Sequence, residues 1–175
     1  TSSGCNVMVV AGAGSGKTRV LVHRIAWLIA VDQVPPQNVF AVTFTNKAAK
    51  EMSSRVSEIL GYESKGMWIG TFHGIAHRFL RLHWSDADLD QNFQILDADD
   101  QLRQIKKIIK ENSFDESRYP PKEITWFINS QKDLGLRPDR SKGKKGFEHY
   151  LEIYAEYERL CRQNNLVDFG ELLLR

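Results

Sequence analysis

The chain has 175 residues, 42% of them hydrophobic, which suits one ordinary domain, or one domain with part of another, around a real core. Its 24 Lys and Arg against 22 Asp and Glu leave a net charge of only +2, so bulk charge announces no nucleic-acid partner and any such reading must rest on local arrangement. Neither a disulfide framework nor a zinc site can be read from the two cysteines, Cys5 and Cys161, which lack CxxC spacing and point to reduced thiols in a cytoplasmic protein, while the longest apolar stretch, Val20 to Val31, is broken by His23 and Arg24 and is too short to span a bilayer.

In chain order, Val7 to Val10 is an apolar β run, followed by a loop over 11–16 and a helix from Lys17 to about Ala30. Pro35-Pro36 breaks the chain. Val39 to Thr43 is a second run rich in β formers. Thr45 or Asn46 can cap the next helix, whose apolar positions Ala49, Met52, Val56 and Ile59 step by three, four and three, and Gly61 can end it. Met67 to Thr71 is a third strand, and Phe72, Ile75, Ala76, Phe79 and Leu80 make a helical face. Strand–helix repetition of this kind predicts an α/β fold with a parallel sheet and right-handed crossovers over residues 1–88.

From about residue 89 the pattern changes. Asp97 is a good N-cap before Leu102, Ile105, Ile108 and Ile109, and Pro120-Pro121 opens a helix through Ile124, Phe127 and Ile128. Leu134 to Gly146 reads as a Gly- and Lys-rich loop, and Phe147, Tyr150, Leu151, Tyr154, Tyr157 and Leu160 give a long amphipathic helix. Only Phe93 to Leu96 looks strand-like, so 89–175 is expected to be a separate, mostly helical unit. A strand almost at the first residue, and a last segment ending in mid-pattern, suggest a piece of a longer protein.

Ala11-Gly-Ala-Gly-Ser-Gly-Lys-Thr18 has the spacing of a phosphate-binding loop, with Ala11 where the strict form has Gly. Gly12, Gly14 and Gly16 permit the backbone angles of an anion nest, in which successive N–H groups, with those of Ala13 and Ser15, face a phosphate at the positive end of a helix. Lys17 would reach the β and γ oxygens, and the Thr18 hydroxyl would ligate Mg²⁺. Hydrolysis also needs a carboxylate for the metal and a base for water. No apolar strand here ends in Asp-Glu, and Asp99-Asp100 reads as part of a helix start, so the chain alone is expected to bind nucleotide without turning it over well.

Thr43-Phe-Thr-Asn-Lys-Ala-Ala49 ends the second strand and opens a helix, and Thr71-Phe-His-Gly-Ile-Ala-His77 does the same for the third. In a parallel sheet both would share an edge with the loop. An exposed aromatic there can stack on a base and a helix start can hold a phosphate, although Phe44 and Phe72 suit core packing equally well. His73 and His77, four apart, have the spacing of a metal pair but no evident third ligand. The basic run Lys132, Arg137, Arg140, Lys142, Lys144 and Lys145 is either a solvated loop or a phosphate contact.

These motifs together resemble the superfamily 1A DNA helicases, the UvrD/Rep/PcrA group. AGAGSGKTRVLVHRIAWLI is similar to their motif I, AVTFTNKAAKEM to motif Ia and GMWIGTFHGIAHRFLR to motif Ib. FQILDADDQ, INSQKDLGLRP and LVDFGELLLR resemble the inserted helical subdomain 1B, and Trp68, GTFHG and INSQKDLGLRP look most like the UvrD branch. The resemblance implies a RecA-like P-loop domain 1A, incomplete here, over 1–88 and subdomain 1B, also incomplete, over 89–175. It implies that Ala11 to Thr18 hold ATP and Mg²⁺, with Arg19 adjoining, and that Phe44, Thr45, Asn46, Thr71, Phe72 and His73 touch single-stranded DNA. It further implies a 3′ to 5′ translocase of mismatch and excision repair, acting at single-strand/duplex junctions with further helicase domains and repair proteins, in which basic residues of 1B meet duplex phosphates. The competing readings are another P-loop ATPase or small kinase, and a non-catalytic nucleic-acid-binding module.

Overall fold

The computed structural model describes residues 6–12, 14–63, 65–141 and 148–175. The chain divides into two compact units, Thr1–Ile75 and Ala76–Arg175. The first holds α1 (Lys17–Ala30), a 3₁₀ turn (Pro36–Asn38), β1 (Phe40–Thr43), α2 (Asn46–Leu60), β2 (Trp68–Thr71) and the start of α3 (Phe72–Leu82). The second holds the rest of α3, β3 (Gln94–Leu96), α4 (Ala98–Glu111), α5 (Pro121–Asp133), α6 (Glu148–Gln163), β4 (Leu166–Asp168) and α7 (Phe169–Leu174).

In the first unit β1 and β2 pair in parallel, Phe40 opposite Trp68 and Thr43 opposite Thr71. The crossover between them is α2. Thr45 caps it, its Oγ1 accepting from the Ala48 N–H at 3.2 Å, and Gly61 ends it in the left-handed region at φ 75°, a conformation that favours glycine. Buried Val22, Ile25 and Ile29 of α1 meet Met52 and Val56 of α2, with Val39, Ala41 and Met67 completing the core. Ile59, expected on the same face, lies in the last turn and is exposed.

The expected first strand is not formed. Residues 6–10 belong to no strand among the described residues, and Val7 to Val10 are 54–86% exposed. A run this short gains strand conformation only from ladder partners, and β1 and β2 pair with each other instead. What the structure establishes is a mixed α/β arrangement with short parallel sheets.

The second unit is built on α4, α5 and α6. Ile105, Ile108, Ile124, Ile128, Ile153, Tyr154 and Tyr157 are all fully buried where these helices meet. Asp97 caps α4 as expected, accepting from the Asp100 N–H at 2.7 Å, and α5 opens at Pro121. Besides the expected β3 there is a strand that the pattern of apolar residues does not reveal, β4, pairing in parallel with β3 from Gln94–Leu166 to Leu96–Asp168. Leu80, Phe93, Val167 and Leu172 pack a smaller core.

Candidate nucleotide and nucleic-acid sites

The glycine loop forms the entry to α1. Gly14 and Gly16 lie in the left-handed region at φ 75° and 87°, as a nest of backbone N–H groups requires. Gly16 is the N-cap residue of α1 and offers no side chain, so the first-turn N–H groups of α1 face outward without a side-chain acceptor. Lys17 Nζ folds into the loop and donates to the carbonyls of Ala11 at 2.7 Å and Gly12 at 2.6 Å. Ser15 Oγ also donates to the Gly12 carbonyl, at 2.7 Å. Thr18 and Arg19 are exposed on the first turn, and Ala13 lies outside the described residues.

This arrangement fits a polyphosphate. A Cβ built on Gly12 or Gly14 meets nothing within 4 Å, so the protein's own packing does not fill the space beside the loop. The loop thus brings together backbone N–H groups, a helix N-terminus without a side-chain cap, and one cation. Lys17 and Thr18 are the residues that would meet the phosphates and their metal. The described hydrogen bonds of the loop run within residues 11–20, and none joins it to the two aromatic motifs.

Those two motifs are brought together. Phe44 and Phe72 lie at the C-terminal ends of β1 and β2 with ring centroids 6.2 Å apart and planes tilted by 52°. Phe44 is 93% exposed and Phe72 52%, so neither is a core residue. Thr45 and Asn46 are exposed at the start of α2, and Thr71 accepts from the Gly74 N–H at 3.1 Å, fixing the start of α3. His73 is exposed on the first turn of α3. Among the described residues no group of three His, Cys, Asp or Glu can hold a metal. His77 is engaged elsewhere: its Nε2 accepts from Arg81 Nε at 3.0 Å, and burial and that guanidinium lower its pKa.

The basic run proves to be two different things. Lys132 belongs to α5, not to the loop, and is buried at 3% exposure among Asp168 at 2.7 Å, Glu158 at 2.9 Å and Glu171 at 3.1 Å. Arg137 binds Glu158 at 2.6 Å and Glu171 at 2.8 Å, and Arg175 binds Glu171 at 2.7 Å. Tyr157 donates to Asp168 Oδ2 at 2.7 Å. Burial alone would lower the pKa of Lys132, but Asp168, Glu171 and Glu158 raise it instead. Burial would likewise raise that of Glu171, yet Lys132, Arg137 and Arg175 bring it down to about 2. Lys132 is therefore committed to internal carboxylates and out of a phosphate's reach, while the partly exposed Arg137 pairs with Glu158 and Glu171. Arg140 is exposed, and Lys142, Lys144 and Lys145 lie outside the described residues. The local sign of this network is Asp168-Phe-Gly-Glu171, an Asp N-cap with Glu three residues on. Asp168 Oδ1 accepts from the Glu171 N–H at 2.7 Å.

Among the described residues no helix is long and apolar enough to cross a membrane. The family model for the UvrD/REP helicase N-terminal domain matches residues 1–175. DNA helicase II of Escherichia coli (strain K12) is 55% identical over 172 residues, covering 97% of this chain and 24% of that protein. DNA helicase II of Haemophilus influenzae is 52% identical over 176 residues, covering 97% and 24%. ATP-dependent DNA helicase PcrA of Bacillus subtilis (strain 168) is 43% identical over 171 residues, covering 96% and 23%. The chain thus spans about a quarter of the length of the curated relatives it matches. With a family model matched from end to end and relatives more than half identical across nearly all of it, the chain belongs to the UvrD/REP helicase N-terminal domain family.

Proposed function

We propose that this chain is the nucleotide-binding part of an ATP-dependent DNA helicase, the N-terminal part of a RecA-like P-loop domain 1A over residues 1–88 with an incomplete subdomain 1B over 89–175. One observation carries the reading: Phe44, an aromatic ring almost wholly in solvent, stands beside Phe72 at the ends of two parallel strands, in the unit that also holds the glycine loop. The two rings side by side make an exposed apolar patch rather than a lone surface residue, and a nucleobase is a partner with a matching flat face.

In this reading Gly12 to Thr18 hold the triphosphate, with Arg19 beside them. Lys17 would exchange its bonds to the Ala11 and Gly12 carbonyls for phosphate oxygens, and the Thr18 hydroxyl would hold Mg²⁺. Hydrolysis of ATP bound there would supply the free energy of the motor, and the metal would neutralise phosphate charge. Phe44 and Phe72 stack on bases, while Thr45, Asn46, Thr71 and His73 border the strand at two helix starts. Names such as ATP-dependent DNA helicase, carried by the relatives, support ATP as the nucleotide and DNA as the track. The finer assignment is a cytoplasmic 3′ to 5′ translocase of mismatch and excision repair, working at single-strand/duplex junctions with further helicase domains.

Duplexes with a 3′ or a 5′ single-stranded tail test the direction of travel. The full-length protein with ATP and Mg²⁺ should unwind the 3′-tailed substrate and leave the 5′-tailed one. Equal unwinding of both, or of neither, would contradict the assignment.

A further inference from the structure

Ile59 belongs to the core face of α2 by its spacing, yet it stands 45% exposed in the last turn. What it faces is a groove of about 560 Å³ within the first unit. Trp27, Ala30 and Val31, at the end of α1, form one wall, and Ile59, Leu60 and Tyr62, at the end of α2, form the other. Trp27, Val31, Ile59 and Tyr62 are each 44–55% exposed.

The groove exists because α1 carries two apolar stripes. Val22, Ile25 and Ile29 are buried in the core shared with α2. His23, Ala26, Trp27, Ala30 and Val31 recur at steps of three, one, three and one, so they share a second face, and all five line the groove. A helix apolar on more than one side has more than one surface to cover. The core covers the first stripe and leaves the large members of the second about half in solvent. With Ile59 and Tyr62 they make a contiguous patch rather than scattered surface residues.

Charge decides what kind of partner fits. The groove lies where α1 and α2 both end, so the negative poles of two helix dipoles open onto it. Neither helix has a basic residue in its last turn. Asp32, between the lining residues Val31 and Gln33, is exposed, and so is Glu58, next to Ile59. Gln33 Nε2 donates to the Ala30 carbonyl at 2.7 Å but brings no charge. Glu63, after Tyr62, is offset by Lys65 at 3.7 Å. The groove is thus apolar with a negative end. Nucleic-acid phosphates are repelled there. A second copy docking through the same face would set Asp32 and Glu58 against their own kind.

We propose that this groove docks an amphipathic helical segment of a partner protein, with apolar side chains against Trp27 and Tyr62 and a Lys or Arg at the ends of α1 and α2. Apolar anchors give such a helix its affinity, and the charge sets its orientation. The proposal stands apart from the nucleotide and DNA readings, because none of the lining residues belongs to the glycine loop or to the two aromatic motifs.

The test is anisotropy titration of the full-length protein with a fluorescein-labelled amphipathic helical peptide of leucine and lysine. The wild-type protein should bind it saturably, one to one. Trp27→Ala and Tyr62→Ala should each weaken binding by roughly tenfold, the scale of one lost interface anchor. Asp32→Lys should weaken it several-fold and Asp32→Glu should leave it as it was. Asp32→Lys alters no packing, so it reads the groove even where a ring variant lowers stability. A wild-type protein that does not bind the peptide saturably would overturn the proposal. So would unchanged affinity in both ring variants, which would place the peptide elsewhere, or indifference to Asp32→Lys. A wild-type dimer in sedimentation that Trp27→Ala turns into a monomer would make a second copy the occupant and overturn it too.

Discussion

In the proposed function, Lys17 is the residue on which nucleotide chemistry turns. It is a side chain folded into its own loop, held by two carbonyls at 2.6 and 2.7 Å, ready to exchange them for phosphate oxygens. Lys17→Ala removes the one cation of the loop and leaves the φ angles of Gly14 and Gly16 untouched. In the full-length protein it should abolish ATP hydrolysis without changing the thermal midpoint, and unaltered turnover would contradict its role. Sequence spacing located this loop and both aromatic motifs. It did not decide whether Phe44 and Phe72 face the core or the solvent, because exposure depends on how β1 and β2 pair, and pairing is a long-range property.

Helix ends were legible where a local rule governs them. Thr45 and Asp97 cap α2 and α4 through their own side chains, and Gly61 ends α2 with a backbone that glycine adopts readily. Thr45→Ala should cost about 1 kcal/mol of stability in chemical denaturation. The α5–α6–α7 junction was not legible. Lys132 reads locally as one of six basic residues, yet its partners are Glu158, Asp168 and Glu171, on α6, β4 and α7. Gly170 permits the approach: a Cβ there would lie 3.1 Å from Lys132 Cδ.

Removing Lys132 leaves the buried Asp168 with no cation among the described residues, while Glu158 keeps Arg137 and Glu171 keeps Arg137 and Arg175, so Lys132→Ala should cost about 3–5 kcal/mol, read by denaturant titration. The same junction sets an acid limit. Glu171 has a lower pKa folded than unfolded, about 2 against 4.5. Its contribution is therefore fully present above about pH 4.5 and is lost as the pH falls toward 2. Acid unfolding followed by circular dichroism should show that loss in the native chain, and Glu171→Gln should flatten it over that interval.

For the molecule as a whole, the family was legible because loop, motif Ia and motif Ib wording occur together in order, and the family model matches all 175 residues. The parallel β1–β2 pair and its α2 crossover follow from strand–helix alternation. The expected Val7–Val10 strand does not, since apolar content alone makes no ladder. The three-residue β4 was not legible because Leu166-Val-Asp168 runs straight into α7 and its strand conformation depends on pairing with the distant β3. The central claim, a nucleotide loop and a base-stacking surface serving one motor, is tested most directly by ATP hydrolysis of the full-length protein with and without single-stranded DNA. The account predicts that single-stranded DNA raises the rate severalfold or more, and an ATPase rate indifferent to DNA would contradict it.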